Sequence, residues 1–369
     1  MADAHTVFSR PILDGGSNLN AHQKSQLAQA FWHGLKLTEK TFDAEDYTEF
    51  FNFINSELDL IKHHGKKFAA GTFGSMTGII EAILKSPELS REKLVDVISH
   101  EFLNVDRKAL RRSIELALRL WLTLNVRSTT IIVGPLDPRT TRVEWDQDIS
   151  VTQLIASQFA GSKLSSNVGR DRLDQSFTAA HLVYSSGIKI RWSSNLADHL
   201  QLDSKNRILS VYQHKICLIN HLESSLSIYP KDVLEEALDT INLLFPMGND
   251  STRELLLKEK RSRMYSVGLH GRPRVLDLSE YNYWKNELVE LWDVYNEPPR
   301  DWRQLLLNRK NKLQWVTFWI AIIIFGLTVI GLGLAAVSTA YAIMQYNLAL
   351  AQACSAPGAV PSILKFCSR

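Results

Sequence analysis

Residues 106–125, DRKALRRSIELALRLWLTLN, decide the fold of this chain. The apolar side chains in this stretch recur at helical spacing, at Leu110, Ile114, Leu118, Trp121 and Leu122. Such spacing aligns them on one face of an α-helix and predicts that this face packs in a core.

Similar periodicity on both sides of this stretch predicts a largely helical soluble part. Further helices are predicted at residues 23–37, 43–63, 74–84, 90–102, 214–225, 230–245, 251–264 and 279–296. The region between them differs, because TTIIV at 129–133 is β-branched and predicts an extended segment. A hairpin around Ser186-Gly187, a short helix at 195–202 and a strand at 206–212 are also predicted there.

The longest apolar run, residues 315–344, reads WVTFWIAIIIFGLTVIGLGLAAVSTAYAIM, and the segment 313–364 around it has no formal charge. About 20 apolar residues suffice to cross a hydrocarbon core of roughly 30 Å as a helix. The fold class is therefore predicted to be mainly α: a multi-helix soluble domain with a small extended or β insertion, followed by one transmembrane helix. The predicted parts are a disordered N-terminus (1–19), a helical region (20–128), a mixed region with short strands (129–212), a second helical region (213–298), a basic juxtamembrane helix (299–314), the transmembrane helix (315–344) and a non-cytosolic tail (345–369).

Charged residues flank the span asymmetrically. Five basic residues precede it, namely Arg300, Arg303, Arg309, Lys310 and Lys312, whereas Lys365 and Arg369 are the charges that follow it. The positive-inside rule then predicts a single-pass protein with its N-terminal domain in the cytosol of an undetermined membrane. The five basic residues would contact lipid headgroups.

Aromatic and small residues on the span predict two further kinds of contact. Trp315, Trp319, Tyr341 and Tyr346 lie at its two ends, where aromatic side chains favour the membrane interfaces. One helical face carries small residues that allow close helix packing, at Gly331, Ala335, Ser338 and Ala342. This face predicts a homo-oligomer through the transmembrane helix, with the ordinary composition of membrane helices as the alternative.

The three cysteines fall on both sides of the span. Cys217 lies in the apolar stretch KICLINHL and is predicted to be a buried thiol. Cys354 and Cys367 are thirteen residues apart in the predicted non-cytosolic tail, where a disulfide would persist. A disulfide and two unpaired or lipidated cysteines both fit this spacing.

Motifs for catalysis or cofactor binding are incomplete. The glycines of AAGTFGSMTG, residues 69–78, are not followed by the Gly-Lys-Ser/Thr of a phosphate loop. His100-Glu101 is followed by Asn104, where a zinc-protease helix needs a histidine. Met247-Gly248-Asn249 matches the short signature of CorA-type magnesium channels, but it lies well before a single span. No cofactor or metal site is predicted, and the net charge of +3 does not indicate nucleic-acid binding.

Three stretches resemble a group of filamentous ascomycete proteins with a soluble helical region and one C-terminal transmembrane helix. They are LALRLWLTLNVRS at 116–128, IRWSSNLADHLQL at 190–202 and QWVTFWIA at 314–321. The resemblance extends from about residue 90 through the span. It implies a fungal lineage and this topology, and it supplies no catalytic residues, because the function of the group is not established.

Three functions fit the sequence. The first is a membrane-anchored interaction or regulatory module that binds the lipid bilayer and a cytosolic protein partner. The second is an accessory enzyme or assisting protein of a fungal (secondary) metabolic pathway, with His181, Asp198 or His199 as acid–base candidates. The third is a divergent ion-transport component. The sequence favours a function other than catalysis. A deep pocket with convergent polar groups would instead favour an enzyme.

Overall fold

A computed structural model describes residues 7–15, 19–35, 37, 41–102, 105–127, 139–161, 172–267, 273–297 and 312–355. The chain divides into two compact units, Met1–Pro298 and Pro299–Arg369. The fold is mainly α with one small sheet and a long apolar C-terminal helix, which confirms the predicted fold class.

Twelve α-helices are described in the first unit. They are α1 Ala21–Phe31, α2 Thr48–Ile61, α3 Phe73–Lys85, α4 Arg91–Ser99, α5 Arg107–Leu122, α6 Val151–Gln158, α7 Ala179–Tyr184, α8 Lys215–Glu223, α9 Lys231–Leu244, α10 Asp250–Lys258, α11 Ser262–Ser266 and α12 Lys285–Asn296. The three strands are β1 Lys189–Ser193, β2 Leu202–Asp203 and β3 Ile208–Tyr212.

Helix α5 is more deeply buried than its apolar spacing predicts. Every residue from Ser113 to Leu122 is buried, so three turns of the helix are enclosed on all sides. The other polar side chains in this stretch have partners inside the protein, whereas the buried Trp121 Nε1 has none among the described residues. Ser113 Oγ accepts the backbone N–H groups of residues 69 and 70 at 2.8 and 3.0 Å, and Glu115 lies 3.8 Å from Arg91.

The N-terminal segment 7–15, predicted to be disordered, packs on the core as two 3₁₀ turns. Val7 and Ile12 are buried, and Ile12 N–H donates to Gly71 O at 3.0 Å. A side chain at Gly74 would clash with Phe8 O, since an added Cβ would lie 2.7 Å from it. Two isolated apolar anchors have no periodicity, so the sequence pattern did not reveal this segment.

The sheet corrects the predicted hairpin around Ser186-Gly187. Gly187, with φ +70°, follows the end of α7, and β1 then pairs with β3 in parallel. The hairpin lies further along the chain, where β2 pairs antiparallel with β3 in the order β1-β3-β2. The predicted strand at 206–212 is confirmed by β3, whereas the predicted strand at 129–133 lies outside the described residues.

The second unit is described as one helix, α13 Lys312–Ser355, which extends beyond the predicted span. Its segment Val316–Ser355 contains an 18-residue window with a mean hydropathy of 2.7 and is long and apolar enough to cross a membrane. The first residues of the predicted tail therefore continue this helix. Cys354, near its end, is in a disulfide, and Cys367 lies outside the described residues.

Three histidines are buried in the first unit without carrying charge. His199 Nε2 lies 2.8 Å from Thr240 Oγ1, and His221 Nε2 lies 3.1 Å from Trp121 O. The ring of His214 packs against aromatic rings. Burial lowers the pKa of His199 and His214 to about 3 and that of His221 to about 4.

We predict that acid destabilises this unit. Each of these histidines has a pKa near 6.5 when unfolded, so the unfolded chain takes up protons first as pH falls. The stabilisation is complete above pH 6.5 and should decrease by about 2 kcal/mol per histidine between pH 7 and pH 5. Chemical denaturation of the full chain in detergent at several pH values measures it. Replacing exposed His22 by Gln should leave the pH dependence unchanged, and a flat profile would contradict the prediction.

Candidate functional site

A cavity of about 470 Å³ opens between α2, the C-terminal end of α5 and strand β1. This volume is within the range of small-molecule sites. Its walls combine apolar side chains with an unusual number of arginines. The lining residues are Phe53, Ser56, Glu57, Leu60, Arg119, Thr123, Leu124, Asn125, Arg127, Arg139, Thr140, Arg191, Trp192, Ser193, Ser194 and Asn195.

One carboxylate, that of Glu57 on α2, holds two of these arginines. Arg119 Nε donates to Glu57 Oε2 at 3.0 Å, and Arg127 Nη2 lies 3.5 Å from the same carboxylate. Arg119 Nη1 also donates to Val126 O at 3.0 Å. All three charged side chains are largely buried, with exposed fractions of 13, 7 and 10% for Glu57, Arg119 and Arg127. The pairing fixes one wall of the cavity and joins α2 to α5.

Between α5 and this wall, the backbone passes through a residue in the left-handed conformation. Thr123 follows α5 with φ +51°, a conformation that β-branched residues rarely adopt. Its Oγ1 lies 2.6 Å from the Tyr212 hydroxyl, and its carbonyl accepts Leu196 N–H at 3.0 Å. These bonds turn the chain abruptly out of the helix. As a result Leu124 and Arg127 line the cavity instead of continuing α5.

The opposite wall is held by a buried polar loop after β1. Asp198 accepts bonds from Ser193 Oγ at 2.8 Å, Asn195 Nδ2 at 3.1 Å and Thr141 N–H at 2.7 Å. Its carboxylate therefore ties residues 193–195 to residue 141. These three bonds engage the Asp198 carboxylate in supporting the cavity wall.

The fourth arginine of the lining, Arg191 on β1, is oriented by neutral acceptors. Its Nη2 donates to Ser210 Oγ at 2.7 Å and to Arg139 O at 2.8 Å. Among the described residues, Arg191 Nε and Nη1 and Arg119 Nη2 have no hydrogen-bond acceptor. These N–H groups remain to bind a ligand.

Among the described lining residues, four arginines carry positive charge and Glu57 carries negative charge. Burial, and then the nearby charge of Arg119, lowers the pKa of Arg127. Like charges crowded in a partly desolvated site favour a bound anion that neutralises them. Guanidinium groups bind carboxylate and phosphate through paired N–H donors. The cavity is therefore suited to an anionic ligand.

A second cavity, of about 300 Å³, has three acidic and four basic residues in its described lining. Arg261 pairs with Glu49, and Arg263 lies 3.2 Å from Asp43 and 3.6 Å from Asp46. Because the acidic residues offset most of the positive charge, this cavity favours an anion less than the arginine cavity does.

The three acid–base candidates do not meet in one place. Asp198 and His199 are fully buried and make the structural bonds given above. The ring of His181 packs on Tyr295 with centroids 4.9 Å apart. None of the three lines the arginine cavity.

The predicted membrane contacts lie in the second unit. Trp319, Tyr341 and Tyr346 are exposed on α13, as are the small residues at 331, 335, 338 and 342. Trp315 and Lys312 lie within the helix, and nothing is described of their side chains. Basic residues that lie outside the described residues are Arg300, Arg303, Arg309 and Lys310.

Sequence reasoning missed the arginine cavity. Its arginines lie on four segments between residues 119 and 191, and no motif joins them. One signal was present, because Arg119 interrupts the apolar run LALRLWL on α5. A charge enclosed among buried positions requires a buried partner.

Comparison with models of known protein families, with curated proteins and with solved structures finds no match to this chain.

We predict that replacing Glu57 by Gln destabilises the first unit. The change leaves two largely buried arginines without their counter-charge, which should lower the free energy of unfolding by about 2–4 kcal/mol. Denaturant titration of the full chain in detergent measures the loss. The matched control is Glu81→Gln on α3, which removes an exposed pair with Lys85 and should cost less than about 1 kcal/mol. Equal effects of the two changes would contradict the prediction.

Proposed function

We propose that this chain is a membrane-anchored regulatory module whose first unit binds a small anionic molecule. The observation that supports the proposal is that four arginines and one carboxylate are among the described residues that line the cavity. Two of the arginines, Arg119 and Arg191, have guanidinium N–H groups without an acceptor among the described residues. A phosphate or carboxylate group bound in the cavity would accept hydrogen bonds from them.

The lining favours binding over catalysis. Among the described lining residues there is no histidine, cysteine, lysine or tyrosine, and the one carboxylate is paired with two arginines. General acid–base catalysis needs a group free to exchange a proton near neutral pH. The arginines offer charge and orientation, which are the properties of a ligand sensor.

The proposal includes an anchor and a protein partner. Helix α13 is long and apolar enough to span a membrane, and the basic flank before it favours a cytosolic first unit. Ligand binding stabilises a folded unit by RT ln(1 + L/Kd), where L is the free ligand concentration. A cytosolic partner that recognises the ligand-stabilised surface would then respond to ligand concentration at the membrane. The proposed lineage is the ascomycete group that the sequence resembles.

We predict that inorganic phosphate and pyrophosphate bind the full chain in nanodiscs. Isothermal titration calorimetry should give an affinity that decreases as the salt concentration rises, since ions screen the attraction between the arginines and the anion. Replacing Arg191 by Gln should weaken binding about tenfold, in line with the loss of about 1.5–3 kcal/mol from a charged hydrogen bond. Glu57→Gln should act in the opposite direction, because it removes the one negative charge of the lining.

Arg253→Gln provides the matched control, because Arg253 is an exposed arginine on α10 and does not line the cavity. It should leave the affinity unchanged. Absence of phosphate binding, or equal losses in the two arginine variants, would refute the proposed function.

We also predict a cytosolic first unit. Protease treatment of sealed microsomes should digest residues before α13 and leave a small protected C-terminal fragment. The sequence Asn249-Asp250-Ser251 is a glycosylation acceptor that a cytosolic domain never uses. A glycan on Asn249 in cells would reverse the orientation.

A further inference from the structure

The arginine cavity adjoins a smaller cavity of about 200 Å³, called the small lobe. Arg139 and Arg191 line both spaces, so the two are neighbours at these residues. The bond from Arg191 Nη2 to Ser210 Oγ, at 2.7 Å, fixes the guanidinium at this border. A ligand that fills both lobes would pass beside it.

The lining of the small lobe also includes two residues with hydrogen-bond acceptors, Gln201 and Asp203. The Asp203 carboxylate is exposed and accepts Asn206 N–H at 3.0 Å and Asn206 Nδ2–H at 2.7 Å, which leaves lone pairs on both oxygens. These bonds lower the pKa of Asp203, so the group is ionised at neutral pH. Gln201 donates its Nε2 hydrogens to Thr141 Oγ1 and Ala197 O, both at 2.8 Å. Its Oε1 has no donor among the described residues.

Between the cations and these acceptors lies an apolar surface. Leu202 on β2 and Ile208 on β3 line the lobe, and both are half-buried. The part of a ligand that binds here needs C–H groups to contact Leu202 and Ile208. It also needs O–H groups that donate hydrogen bonds to Gln201 and Asp203. A second anionic group would be repelled by Asp203, and a purely apolar group would desolvate its carboxylate without compensation.

We infer that the ligand is the phosphate ester of a polyol, with phosphate between Arg119 and Arg191 and hydroxyl groups on Gln201 and Asp203. This inference rests on the proposed function and adds the chemical class of the ligand. The same chemistry occurs in soluble sugar or inositol phosphates and in the headgroup of a phosphoinositide lipid.

The test compares inorganic phosphate with glycerol 3-phosphate, glucose 6-phosphate and myo-inositol 1-phosphate. The full chain is held in phosphatidylcholine nanodiscs, and calorimetry gives each affinity. At least one ester should bind about tenfold more tightly than phosphate, since a hydroxyl bonded to a carboxylate contributes about 1.5–3 kcal/mol. Asp203→Asn should remove this advantage and change the affinity for inorganic phosphate less than twofold.

Two further variants make this test specific. Gln201→Ala should reduce the affinity for the ester alone, and Asp148→Asn, at an exposed carboxylate outside both lobes, should change neither affinity. Melting temperatures of all variants confirm that each is folded. If phosphate binds but no ester binds more tightly, or Asp203→Asn has no effect, the inference is wrong. If phosphate itself does not bind, the proposed function fails first.

A last comparison assigns the source of the polyol phosphate. If a lipid headgroup binds in the arginine cavity and the small lobe, nanodiscs with phosphatidylinositol 4-phosphate should raise the melting temperature of the wild-type chain. They should not raise that of Asp203→Asn. They should also weaken the apparent affinity for myo-inositol 1-phosphate by competition. Unchanged values in these nanodiscs, together with tight binding of an ester, support a soluble ligand.

Discussion

The enclosure of α5 on all sides is the constraint on which the first unit depends. A helix buried through three turns cannot leave a charged side chain unpaired, since an uncompensated buried charge costs several kcal/mol. Glu115 therefore pairs with Arg91 and Arg119 with Glu57, and Ser113 accepts the backbone N–H groups of residues 69 and 70. Each bond positions a separate part of the chain around the central helix, and the pair of Arg119 with Glu57 builds a wall of the cavity.

The cavity follows from how α5 ends. Thr123 takes a left-handed conformation, stabilised by its bonds to Tyr212 and Leu196, and the chain turns away before the helix can fill the space. The residues after the turn bring Arg127 beside Arg119, so two like charges share one carboxylate. Such crowding opposes folding, and a bound anion would relieve it. In the proposed function, stability and ligand binding would therefore be coupled at the same atoms.

The two units differ in the solvent that suits their surfaces. The first unit buries apolar surface against itself and pairs its buried charges, as a water-soluble domain must. Helix α13 exposes apolar side chains along its length and satisfies its backbone internally. That combination suits a hydrocarbon environment.

Apart from α6 and α7, which have only eight and six residues and were not predicted, the sequence by itself determined the helices of the first unit, because the 3.6-residue recurrence of apolar side chains is a local property that survives in any tertiary context. It also determined α13 through length and absence of charge. It did not reveal the segment 7–15, whose anchors Val7 and Ile12 have no period, or the parallel pairing of β1 with β3, which depends on contacts between separated strands. The cavity was equally hidden, since Arg119, Arg127 and Arg191 acquire a common role only when α5, its left-handed turn and β1 bring their charges together. Periodicity is encoded along the chain, whereas the convergence of charges is decided by the packing of segments far apart in sequence.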